Sequence, residues 1–189
     1  MKNHTKQLGA SSARLASIYL LSDILLNQTS LAQSAFYFSS LSPQDKGFAQ
    51  AVSYGTCRHY FELDAYLSAH LHKKLKPKDY DILAVLLSGA YQLLYMRTPE
   101  HAAINSSVDL CRTLKKKWAC KLVNAILRNI QRAHANEDSW NKERATLADW
   151  TIHSHPEWLY KKISHNWPEH AAKIITANNT QAAMCLRLN

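Results

Sequence analysis

At 189 residues, with 47% hydrophobic and 10% aromatic side chains, the chain is long enough for one good core and too apolar to stay disordered. Its four glycines exclude a Gly-rich phosphate loop, and four scattered cysteines (Cys57, Cys111, Cys120, Cys185) exclude a zinc-ribbon site or dense disulfide framework, leaving reduced cytosolic thiols as the reading. A net charge of +9 and a pI near 9.4 point to an acidic partner, nucleic acid before an anionic membrane surface.

Helical periodicity runs through most of the chain. Lys2, Lys6 and Arg14 precede LASIYLLSDILL, the basic, acid-free start that a transit peptide would also have. However, Leu15, Ile18, Tyr19, Ser22, Leu25 and Leu26 follow the spacing of an amphipathic helix, and Asp23 interrupts the apolar run a secretory signal needs. A cytoplasmic protein is expected. Ser42-Pro43-Gln44-Asp45 is a helix start, after which Phe48, Val52, Thr56, Tyr60, Leu63, Leu67 and Leu71 keep one face. That run is long for one globular helix and predicts a break near Phe61 or Glu62.

Pro77 and Asp79 open a helix holding a 15-residue uncharged run, Ile82 to Met96. A membrane span needs about 20 apolar residues, so this is read as a central buried helix, ended by Thr98-Pro99. Helices from about Ala102 to Leu114 and from about Trp118 to Ala135 follow, the second burying Leu122, Val123, Ile126, Leu127 and Ile130. The polar segment NEDSWNKERATLADW predicts a boundary between about 135 and 150. Pro156 and Pro168, each followed by an acid, start two short helices. At the end, Met184, Leu186 and Leu188 alternate with Cys185, Arg187 and Asn189 as in a strand buried on one face. Such a strand without its neighbours is expected to be poorly ordered or to pair with another molecule.

Charge is concentrated. Arg112, Lys115, Lys116, Lys117, Lys121, Arg128 and Arg132 place seven of the nine excess charges within 21 residues that contain no acid. Like charges one helical turn apart repel by a few tenths of a kcal/mol, so negative charge from outside the fold is expected. Lys117, Lys121, Asn124, Arg128 and Arg132 fall at intervals of 4, 3, 4 and 4, one continuous stripe opposite the apolar face. A plain solvated face would mix signs. A phosphate-contacting face would not, and these eight residues are the candidate nucleic-acid-binding set.

A second basic stretch carries Lys73, Lys74, Lys76 and Lys78. Aromatic residues do not interleave with the stripe, so recognition of backbone and shape is expected rather than base stacking. His70-x-His72 and His153-x-His155 lack the spacing for a shared helix face, so no metal site is expected. Cys57 reads as a core residue. No nucleophile or paired-carboxylate motif is present.

Three segments occur in an order that resembles one family: LLSGAYQLLYMRTPEHAAINSSVDL (86–110), KLVNAILRNIQR (121–132), and the stretch from HPEWLYKKI to ANNTQAAMCLRLN (155–189). They resemble the N-terminal part of bacterial 16S ribosomal-RNA cytosine-5 methyltransferases of the B type (the Sun/Fmu proteins), which carry the fold of the NusB antitermination factor. The resemblance implies an all-α fold: a NusB-like helical bundle over 1–138, then over 139–189 a short helical segment and the first strand of a connecting subdomain. Arg97, Pro99, His101, Val123, Asn124 and Arg128 match the bundle pattern, and Leu186, Arg187 and Asn189 match the strand. Ala182 and Ala183 stand where prolines are usual, and the N-terminal arm is less Arg-rich than in typical NusB-like RNA binders.

The implied partner is 16S rRNA, with neither membrane nor metal. The family's cysteine nucleophile and Gly-rich S-adenosylmethionine loop belong to a later catalytic domain and map onto no residue here, so no cofactor is expected in this chain. Two other readings are a free-standing NusB-like factor that binds RNA with a ribosomal protein, and a helical protein-interaction module. The segment 155–189 argues against the first.

Overall fold

The computed structural model describes residues 13–71, 73–180, 185 and 187. His72, the N-terminal arm and most of the Met184–Asn189 strand expected from the sequence lie outside them. The described residues form eleven α-helices and no strand: α1 (Ala13–Asn27), α2 (Ser34–Phe38), α3 (Pro43–Arg58), α4 (Tyr60–His70), α5 (Tyr80–Tyr95), α6 (Glu100–Thr113), α7 (Ala119–Ala135), α8 (Glu137–Ala145), α9 (Asp149–Ile152), α10 (Glu157–Asn166) and α11 (Ala171–Asn179). The all-α bundle expected from the sequence is the observed fold. No helix among them is long and apolar enough to cross a membrane.

Local chemistry sets several of these boundaries. Ser42 caps α3, its hydroxyl accepting from the Asp45 N–H, with Pro43 in the first turn. The long run breaks at His59, two residues before the expected point, and its ring stacks on Tyr95 at 3.9 Å. The polar stretch after Ala135 holds a helix that composition did not reveal: Asn136 caps α8 by accepting from the Ser139 N–H.

α5 is the hub, packing against α1, α3, α4, α6 and α7. Ile82, Val85, Leu86, Leu87 and Ala90 are fully or almost fully buried, which explains its lack of a polar face. Close approach needs glycine at two places. A Cβ on Gly89 would lie 2.8 Å from Leu127 Cδ1 and Ser107 Oγ, and one on Gly55 would lie 2.0 Å from the Tyr91 ring.

The later helices lean on α4. Trp140 of α8 covers Tyr66 at 4.5 Å, and Trp150 of α9 meets Phe61 at 6.1 Å. The buried Glu62 carboxylate accepts from the Tyr66 and Tyr95 hydroxyls, and its backbone N–H donates to Ser154 Oγ. His155, 4% exposed, donates from Nδ1 to the His153 carbonyl at 2.6 Å and accepts at Nε2 from the Asn178 amide at 3.2 Å. That ring ties α11 back to the turn after α9.

Candidate nucleic-acid interface

The basic residues are presented by two adjacent helices and the short turn between them. α6 ends in a Schellman motif: Lys115 takes a left-handed conformation (φ 60°), its N–H donates to the Arg112 carbonyl, and the Lys116 N–H donates to the Cys111 carbonyl. This reverses the chain and lays α7 beside α6. On α7, Ala119, Val123, Ile126, Leu127 and Ile130 are buried, while Lys121, Arg128 and Arg132 are exposed and Asn124 is half-buried. Leu122, expected in the core, is only half-buried at the flank.

Along the outer face, Arg128 Nε donates to Asn124 Oδ1 at 3.3 Å, and Arg132 Nε donates to the Arg128 carbonyl at 3.3 Å. Both guanidinium groups are therefore steered by neutral acceptors that leave their charge uncompensated. Among the described residues, Lys115, Lys117, Lys121, Arg128 and Arg132 have no acid within ion-pair distance. All five are exposed.

Two members of the expected set differ. Lys116, whose side chain is 19% exposed, turns away from the outer face and donates to Asp79 Oδ1 at 2.9 Å, Asp81 Oδ1 at 2.6 Å and the Lys78 carbonyl at 2.6 Å. Burial works against its charge, but hydrogen bonds to Asp81 and Asp79 and their attraction outweigh it and hold the ammonium above the ordinary lysine pKa. Arg112 pairs with Asp109 one turn back, at the surface. The expectation that the missing negative charge comes from outside the fold is corrected in part by these pairs: α5 and its preceding turn supply Asp81 and Asp79, which adjacency in sequence could not reveal, and α6 supplies Asp109, three residues before Arg112.

Lys116 also has a positional consequence. By gripping Lys78 and Asp79 it fastens the second basic stretch beside the α6–α7 turn. Lys73, Lys74, Lys76 and Lys78 are exposed there. The two basic stretches, more than 30 residues apart in sequence, are neighbours in space.

Between α6 and α7 lies an open groove of about 470 Å³ lined by Asn105, Val108, Asp109, Arg112, Cys120, Lys121 and Asn124. It brings Arg112, Lys121 and Asn124 together and adds Asn105 and Asp109, which sequence reasoning did not select. Their spacing of four with Arg112 three beyond was the available signal, but an amide and an acid carry no basic signature. Trp118 is the other missed residue. It stands 55% exposed at the N-cap of α7, next to Lys117 and one turn from Lys121, so one aromatic borders the stripe although none interleaves with it.

Comparison with known proteins agrees with this architecture. Residues 11–132 match the NusB family, and residues 155–189 match the ferredoxin-like domain described as Methyltr_RsmF/B-like. The chain is 38% identical over 93% of its length to a ribosomal RNA small subunit methyltransferase B of Pseudomonas putida, covering 40% of that protein. It is 37% identical over 79% of its length to a probable enzyme of the same name from Coxiella burnetii, covering 34%, and 34% identical over 95% to one from Vibrio cholerae, covering 39%. The chain thus spans about two fifths or less of these relatives. With a helical bundle of this form matched over residues 11–132 and the RsmF/B-like segment following it, the chain belongs to the NusB family.

Proposed function

We propose that this chain is the RNA-binding portion of a 16S rRNA cytosine-5 methyltransferase, gripping the rRNA backbone for a catalytic domain that uses S-adenosylmethionine. The observation that carries the reading is the row of exposed cations on α7 and its entry turn, five of them without an acidic partner among the described residues, in a chain whose relatives are named rRNA methyltransferases. Lysines contribute point charges to phosphates, and Arg128 and Arg132 contribute planar forks. We assign RNA binding to 1–138 and the lead into the catalytic part to 139–189. The RsmF/B-like match over 155–189 favours this over a free-standing antitermination factor.

The described residues do not fit the cofactor itself. A doubly wound S-adenosylmethionine site needs a Gly-rich turn between a strand and a helix, whereas Gly47, Gly55 and Gly89 lie inside α3 and α5, none with positive φ.

Titration of an rRNA fragment across a range of salt concentrations tests the reading. Five phosphate contacts give a slope of log K against log salt of roughly −3.5 to −4.5. Replacing Lys117, Lys121 and Arg128 with Gln should reduce that slope by about two to three units while leaving stability nearly unchanged. RNA binding by the triple variant with the original slope would remove the stripe from the interface.

A further inference from the structure

Phosphate contacts account for the lysines and arginines of this surface, but not for Trp118 or for the chemistry of the α6–α7 groove. A tryptophan 55% exposed is unremarkable by itself, since Trp158 and Trp167 are similarly open. What sets Trp118 apart is its setting. Lys115 and Lys117 precede it in the turn and Lys121 follows one helical turn on, all exposed and without an acidic partner among the described residues, whereas of the two lysines one turn beyond Trp158, Lys161 is paired with Glu157 and only Lys162 is not. An indole flanked by unpaired lysines offers a flat face for a base next to residues suited to the sugar–phosphate chain.

The groove on the other flank of the stripe points the same way. Asn105 offers an amide donor and acceptor, Asn124 keeps its amide N–H groups free of the Arg128 bond, and Asp109, paired with Arg112 through Oδ1, adds a second carboxylate oxygen. A carboxylate repels phosphate but accepts from an exocyclic amine, so this lining suits the edge of a base better than the backbone. In a duplex both faces and the Watson–Crick edge of each base are engaged by neighbours. Lys121 lines the groove and stands one turn from Trp118, so it lies between the two features.

Resting on the RNA-binding reading above, we propose that Trp118 is a base-stacking site for an unpaired nucleotide of the bound RNA, with its phosphates carried by Lys117 and Lys121. The recognised element is then a single-stranded stretch or loop, not a continuous helix.

The test uses the full chain with an unstructured single-stranded RNA and with the same strand annealed to its complement. The unaltered chain should favour the single strand, and tryptophan fluorescence should be quenched on binding it. Trp118→Leu should weaken single-strand binding roughly five- to a hundred-fold, the range for loss of one stacked base. It should also abolish most of the quenching, and leave duplex affinity and the salt slope unchanged. Trp118→Phe should recover much of the lost affinity. Unchanged single-strand affinity in Trp118→Leu, or equal weakening towards strand and duplex, would overturn the stacking site while leaving the phosphate-binding stripe intact. Absence of any RNA binding by the unaltered chain would instead remove the function beneath it, and this inference with it.

Discussion

Lys116 and Lys117 are adjacent and chemically identical, yet the structure assigns them opposite consequences on substitution by methionine, which keeps the apolar stem and removes the charge. Lys116 Nζ holds Asp79 and Asp81, whose side chains are only 14% and 24% exposed, and also the Lys78 carbonyl. Charge-assisted bonds contribute about 1.5–3 kcal/mol when sheltered, and exposed ion pairs about 0–1 kcal/mol. This partly buried cluster falls between, at about 1 kcal/mol for each carboxylate. Lys116→Met should therefore cost about 2 kcal/mol, and for a domain of this size lower Tm by about 4–8 °C. Lys117→Met removes an exposed, unpaired cation and should change stability by no more than about 0.5 kcal/mol. Calorimetry measures one arm and salt-dependent RNA titration the other. Lys117→Met should reduce the slope by about 0.7–0.9 and Lys116→Met should leave it alone. If Lys116→Met melts with the parent and flattens the slope, the ammonium faces RNA and the assigned ion pairs do not form in solution.

Gly89→Ala should destabilise by about 1–3 kcal/mol, because its methyl meets Leu127 and Ser107 at 2.8 Å; an unchanged denaturation midpoint would mean that α6 and α7 yield easily. Lys115→Gly should stabilise by about 1 kcal/mol, since glycine adopts the left-handed cap position without steric cost, and thermal melting reads the gain. Stability should fall between about pH 9 and pH 12. Burial raises the Cys57 thiol to about 11 and the Cys111 thiol to about 12, and burial together with the nearby Asp64 charge raises Tyr60 to about 12. Each such group is neutral in both states below its ordinary pKa; above it the unfolded chain ionises first, so stability present at lower pH is lost as pH rises. Urea midpoints should show this decline, and Cys57→Ala should shrink its portion between about pH 9 and 11; a flat profile would refute it.

The amino-acid sequence by itself determined the helical class, the buried status of α5 and the outward face of α7. Each depends on a period of 3.6 residues or on a cap, and these are local properties of the chain. The α3 start at Ser42 and the apolar row Val123, Ile126, Leu127 and Ile130 were legible for that reason. The segment order pointed to the family as well. Only the tertiary structure decided which cations are free. Lys116 finds its acids 35 and 37 residues away, and a Coulombic partner at that separation leaves no periodic trace. The same holds for the loop at Lys73–Lys78, which reaches the stripe through Lys116, and for the groove that pairs Asn105 with Asn124 across two helices. Trp118 was not legible for a related reason: its exposure depends on the angle at which the α6–α7 turn delivers it. Periodicity states which side of a helix is wet, but charge pairing and cavity shape depend on distances between helices, which are properties of the packed chain alone.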